Sequence, residues 1–148
     1  MTGSSSSRSS PVLARTSAAA ITALVGDARV LPVPDGGYDV LIDKGTLDAL
    51  DSADDQRAML ADCRRVLAPS GLLLSIAFPN VRRLALLDAA LPPLGLTHHT
   101  HIVTSVDAPN AVVFVSLIFH SASAPPYAPD ERTKTMLARV AASGSLWE

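Results

Sequence analysis

Residues 38–50 read Tyr38-Asp39-Val40-Leu41-Ile42-Asp43-Lys44-Gly45-Thr46-Leu47-Asp48-Ala49-Leu50. Residues 38–42 are mostly apolar and β-branched without strict alternation, the pattern of a parallel strand covered on both faces. The run stops at Asp43-Lys44-Gly45, where two charges and a glycine mark a turn. Downstream, residues 54–67 place Met59, Leu60, Cys63, Val66 and Leu67 at helical spacing, with Asp55, Arg57, Asp62 and Arg64 mostly opposite. That predicts an amphipathic helix. Pro69-Ser70-Gly71 ends it, and residues 72–78 read as a second fully buried strand. Strand, helix and strand make a βαβ unit, so the fold class is α/β with parallel strands.

Working outward, residues 81–91 predict a helix burying Val81, Leu84, Leu87 and Leu91, ended by Pro92-Pro93 and Gly95. Residues 99–106 and 111–120 are strand-like runs separated by Asp107-Ala108-Pro109-Asn110, which predicts an antiparallel hairpin. On the amino-terminal side, residues 21–25 read as a short strand closed by Gly26-Asp27 and a loop holding Pro32, Pro34, Gly36 and Gly37. Residues 121–148 form an Ala/Pro-rich tail with one short helix at 130–142. Residues 1–20 make a leader whose first ten positions are mostly serine; it carries Arg8 and Arg15, and the first acidic residue of the chain is Asp27. This is the composition of a mitochondrial or plastid transit peptide, with a disordered leader or a misplaced start site as alternatives. The organisation is therefore leader 1–20, domain 21–120 and tail 121–148.

A chain of 148 residues fits one domain, and a hydrophobic fraction of 48% supplies a core. The formal net charge of -2 offers no bulk attraction to nucleic acid or anionic lipid. Cys63 is the only cysteine, which excludes an internal disulfide and a cysteine-built zinc site. The longest apolar run, residues 111–119, already contains Ser116 and falls far short of the roughly 20 residues that cross a bilayer. The expectation is a soluble protein of the cytoplasm or mitochondrion with neither nucleic acid nor membrane as partner.

Phosphate-cradling G-x-x-x-x-G-K, G-x-G-x-x-G, G-x-S-x-G and H-E-x-x-H are all missing from the sequence. Cys63 lies in the apolar stripe of its helix, where a buried thiol packs and does not react. His99 and His101 share one face of a strand while His98 points the other way, and two imidazoles do not complete a tetrahedral site; solvated strand-edge histidines are the better reading.

Residues 26–50, GDARVLPVPDGGYDVLIDKGTLDAL, are different. They resemble the class I S-adenosylmethionine (SAM)-dependent methyltransferases, and within them the group containing the lysine methyltransferases of translation elongation factor 1-alpha and of mitochondrial citrate synthase. The narrow part of the signature is Asp43-Lys44-Gly45-Thr46-Leu47-Asp48-Ala49 directly after the strand. Arg65-Val66-Leu67-Ala68-Pro69-Ser70-Gly71 continues it, resembling the family's R-V-L-x-P-G-G; Ser70 departs from the preferred glycine, which predicts slight strain in that turn. The resemblance covers about residues 21–120.

The resemblance implies a Rossmann-like, seven-stranded sheet of order 3-2-1-4-5-7-6 ending in an antiparallel hairpin, with SAM as cofactor and a protein lysine as acceptor. It places Asp27 and Ala28 beside the adenine. It sets Asp43, Lys44, Gly45 and Thr46 at the carboxyl end of strand four, where open α/β sheets bind their ligands. Asp43 and Gly45 would border the methionine half of the cofactor, and Asp43, Lys44 and Thr46 the incoming amine. A carboxylate such as Asp43 would hold a neutral lysine amine in line with the sulfonium methyl, so that positioning supplies most of the catalysis and no metal is required. The plain alternative is that Asp43 and Thr46 cap the turn and the helix after it.

The family's glycine-rich loop after strand one and its acidic residue after strand two belong upstream of residue 21, where this sequence has no acidic residue and only Gly3. Half of the cofactor site is thus expected to be missing, leaving strand four with an apolar edge. Pairing of residues 21–25 with that edge, self-association through it, or poor folding are the outcomes. A non-catalytic binding module and an incomplete gene product are the alternatives to an active enzyme.

Overall fold

The computed structural model describes residues 21–104, residue 107 and residues 111–143. The leader and most of the connector predicted around residues 107–110 lie outside them. The strands and α-helices are β1 (Tyr38–Lys44), α1 (Ala53–Val66), β2 (Leu67–Ala77), α2 (Val81–Ala90), β3 (Leu96–Thr104), β4 (Val112–His120) and α3 (Glu131–Ser143).

The four strands form one sheet of order β1-β2-β4-β3. β1 and β2 are parallel, while β4 runs antiparallel to both β2 and β3. This order matches strands four, five, seven and six of the fold implied by the sequence.

Each helix starts where a side chain can satisfy its free N–H groups. Ser52 Oγ accepts the Asp55 N–H at 3.0 Å to open α1, and Asn80 Oδ1 accepts the Arg82 N–H at 2.8 Å to open α2. In α1, Asp54 and Asp55 lie in the first turn and Arg64 and Arg65 in the last, complementing the helix dipole. Met59, Leu60 and Cys63 of α1 and Leu87 and Ala90 of α2 pack together over Leu73, Leu96 and Ile118, so both helices cover the same face of the sheet. A second cluster joins Ile102, Val112 and Phe114 to Val81 and Leu84 of α2 and to Met136 and Leu137 of α3.

Several expectations are corrected. α1 ends at Val66, and Leu67 turns directly into β2, opposite Tyr38. The register then jumps to Val40 opposite Leu72, so Ala68, Pro69, Ser70 and Gly71 form an irregularity within β2 and not a loop before it. Among the described residues no non-glycine has positive φ, so Ser70 carries no left-handed strain. Residues 21–25 form no strand and do not pair with the edge of β1, contrary to one of the expected outcomes; Ile21, Leu24 and Val25 are exposed.

β1 and β2 are also not covered on both faces. Val40, Ile42, Leu72, Leu74, Ile76, Val113, Val115 and Leu117 alternate away from the helices, and each is half-buried or exposed. Val40 and Ile42, at the free edge, are 55% and 70% exposed. Among the described residues no helix covers this face. At the opposite edge, Tyr127 stacks on His99 with centroids 4.3 Å apart, and its hydroxyl donates to the Thr100 carbonyl.

Candidate functional site

β1 ends at Lys44, and Gly45 makes the exit with φ +78°, a conformation that costs glycine least. The Gly45 N–H donates to the Ile76 carbonyl at 3.1 Å, tying the turn to β2. Asp43 is buried, at 4% exposure. Its Oδ1 accepts the N–H groups of Thr46 at 2.9 Å and Leu47 at 3.2 Å, so it caps the short 3-10 turn Leu47–Ala49. Its Oδ2 accepts the Ser75 hydroxyl at 2.7 Å and lies 3.3 Å from Arg83 Nη2. Arg83 Nη2 also donates to Ser75 Oγ at 2.5 Å, and Nη1 donates to Asp48 Oδ1 at 3.0 Å. Asp48 Oδ2 accepts the Phe78 N–H at 3.3 Å.

Two carboxylates therefore share one guanidinium, leaving this cluster one charge negative. Asp43 faces inward and is fully engaged, whereas Asp48 keeps 27% of its side chain exposed. Lys44 and Thr46 are exposed at the rim, and Thr46 caps nothing with its side chain. Two clefts open here. One, of about 680 Å³, runs between the start of α1 and α2; the other, of about 180 Å³, is bounded by Lys44, Gly45, Ile76, Ala77 and Val113. Asp48 and Phe78 line both.

Asp27 and Ala28 lie in a separate corner. The Asp27 carboxylate accepts the backbone N–H of Arg29 at 2.8 Å and its Nη2 at 2.6 Å, and Arg29 Nη1 reaches Asp55 of α1 at 2.5 Å. Hydrogen bonds from the Arg29 side chain and backbone hold Asp27 down to about 2, so it is anionic throughout the physiological range. Ala28 packs against the main core. The same segment is fastened to α1 by the Leu31 N–H on Asp62 and by Arg65 on the Leu31 and Val33 carbonyls. No hydrogen bond among the described residues links this corner to Asp43.

The structure thus brings Asp43, Lys44, Gly45 and Thr46 together at one rim and leaves Asp27 and Ala28 on another. Arg83, Ser75 and Phe78 escaped sequence reasoning. Arg83 carried a signal, since it precedes Leu87 by four positions on the buried side of α2. Ser75 sits in an apolar run and pairs in register with Asp43 on one side and Ser116 on the other. Cys63 is buried; desolvation first, and then the charges of Asp43 and Asp62, push its thiol up to about 12. His98 bonds to Asp88 and Thr100, and among the described residues no cluster of His, Cys, Asp and Glu is suited to a metal. No described helix is long and apolar enough to cross a membrane.

The model of a methyltransferase domain family matches residues 5–75, so the match begins upstream of residue 21. No curated protein sequence matches the chain. A SAM-dependent methyltransferase from Methanosarcina mazei superposes with a TM-score of 0.52 at 12% identity, covering 64% of this chain and 65% of that one. The fold is that of the class I methyltransferases, present in part. A SAM-dependent methyltransferase from Aquifex aeolicus superposes with a TM-score of 0.50 at 15% identity, covering 66% of this chain and 54% of that one. The chain spans between about half and two thirds of the length of these structures.

Proposed function

We propose that this chain takes part in SAM-dependent methyl transfer to the side-chain amine of a protein lysine. The observation that carries the reading is the placement of residues 43–49. The whole word folds as one turn at the carboxyl ends of the two parallel strands, where open α/β sheets hold ligands.

The residues fit the cofactor on the side they present. SAM, when bound, supplies an electrophilic methyl on a sulfonium cation. A cluster with one net negative charge suits a cation beside it, and open space adjoins Gly45, where an added Cβ would meet no atom within 4 Å. Gly45 and Asp43 would border the methionine half, and Asp27 with Ala28 the adenine.

Asp43 contributes as a positioning residue: it fixes the turn that brings Lys44 and Thr46 to the rim, and it anchors Arg83. Lys44 and Thr46 would flank the acceptor amine there. Removing water from that rim as an acceptor docks favours the neutral amine, the nucleophilic form.

A test is incubation of the chain with SAM carrying a labelled methyl group and a protein extract, followed by acid hydrolysis. Label in N-methyl-lysine supports the reading; label in another amino acid, in nucleic acid, or in no product contradicts it.

The exposed edge of β1 favours a second reading, a binding module that pairs through this strand. Val40 and Ile42 stand exposed beside backbone groups that no described strand pairs, a template for a further strand, including that of a second copy.

A further inference from the structure

Phe78 stands just past the end of β2 with 77% of its surface in water. Its backbone is held, since its N–H is donated to Asp48, yet among the described residues none hides its ring. An exposed phenyl beside a part-exposed carboxylate pairs an aromatic face with a negative charge. A primary or methylated ammonium on an apolar stem is the chemical group that uses both.

We propose that Phe78 and Asp48 form an acceptor subsite for a lysine side chain, entered through the smaller cleft. Ile76, Ala77 and Val113 supply apolar walls for the methylene stem. At about 180 Å³ the cleft has the volume of roughly six liquid waters, matched to the five heavy atoms of a lysine side chain and too small for a nucleoside. At its end Asp48 receives the ammonium, and the Phe78 ring covers it; this is the docking state, from which the amine gives its proton to water before any transfer. Arg83 does not cancel this carboxylate, because Asp43 shares the same guanidinium, and Lys44, the cation that lines the same cleft, forms no ion pair with Asp48 among the described residues. Asp48 is fixed by two hydrogen bonds, one from Arg83 and one from the Phe78 N–H, so the subsite is preorganised. The subsite deepens the lysine methyltransferase reading and rests on it for its place in a reaction, but its binding chemistry needs no cofactor.

The test follows backbone amide NMR signals as N-acetyl-lysine N-methylamide is added to the cofactor-free chain, beside its norleucine analogue, which lacks the ammonium. The lysine probe is expected to shift the amides of Gly45, Asp48 and Phe78, and the norleucine probe is not. Because Phe78 is exposed, Phe78→Leu keeps the fold; it is expected to weaken the lysine probe about two- to fivefold, while Phe78→Trp preserves binding. Equal shifts with both probes, shifts elsewhere, or a Phe78→Leu titration that matches the native one overturns the subsite. Failure of SAM binding with a normal lysine titration would instead remove the transferase reading alone.

Discussion

Asp43 and Arg83 are forty positions apart in the sequence and meet at 3.3 Å, with 3% and 4% of their side chains exposed. One is the penultimate residue of β1 and the other lies in the first turn of α2, so the pair joins the candidate site to the helix that roofs it. This relationship changes how Asp43 is understood. Its place in a narrow sequence signature resembles that of a catalytic carboxylate, while its surroundings make it the internal strut of the turn.

The first consequence is for stability. Asp43→Ala leaves Arg83 short of a buried counter-charge and is expected to cost about 3–5 kcal/mol. The double change Asp43→Leu with Arg83→Met, which removes both charges, is expected to cost clearly less than the two single changes together. Urea denaturation of the three variants measures this. A loss below ~1 kcal/mol for Asp43→Ala would mean the pair contributes no more than a surface ion pair.

Asp27 offers a pH signature of the other corner. Its folded value of about 2 lies below the ordinary 3.8, so any stability it contributes is complete above the ordinary value and lost as pH falls through about 2. Carbon-detected NMR titration of the Asp27 carboxyl is expected to show this low midpoint, and Arg29→Gln is expected to return it toward 3.8. A normal midpoint in the native chain would show that the Asp27–Arg29 clamp does not hold in solution.

Cys63 is expected to resist thiol reagents in the folded state. Its thiol is raised from 9.0 to about 12, so between those values the unfolded chain loses the proton first and stability falls as pH rises. Labelling by a disulfide reagent should therefore track unfolding in urea. Rapid labelling without denaturant would contradict the burial of this side chain against Met59 and Leu60.

How much of this was legible follows from which contacts are local. The amphipathic stripe Met59, Leu60, Cys63 and Val66 is periodic within one helix and was read directly. The parallel pairing of β1 with β2 followed from the helix between them. The sheet face that no described helix covers was not legible, because a half-covered apolar strand and a fully covered one share the same composition. The Asp43–Ser75–Arg83 cluster was hidden for a different reason: its members come from three elements, and only the register of the strands and the rotation of α2 bring them together. Phe78 read as the last residue of a buried strand, whereas β2 stops at Ala77 and the ring emerges into solvent.

The free edge of β1 makes a prediction about assembly. Sedimentation at rising concentration is expected to show reversible self-association, suppressed by Ile42→Lys, which places a charge on the exposed row. A chain that stays monomeric throughout, or an Ile42→Lys variant that associates equally well, would remove strand pairing as the fate of this edge.

In the proposed function, the rim at residues 43–46 and the corner at residues 27–28 belong to one SAM site. The most direct measurement is calorimetric titration of the folded chain with SAM, beside Asp27→Asn and Gly45→Ala. Asp27 is exposed, so its variant leaves the core intact, and Gly45→Ala strains only the turn at φ +78°. Saturable binding at micromolar strength, weakened in both variants, is the predicted result. An absence of heat up to millimolar SAM, from protein shown to be folded, would contradict the claim and leave this chain a methyltransferase fold without a methyltransferase's cofactor.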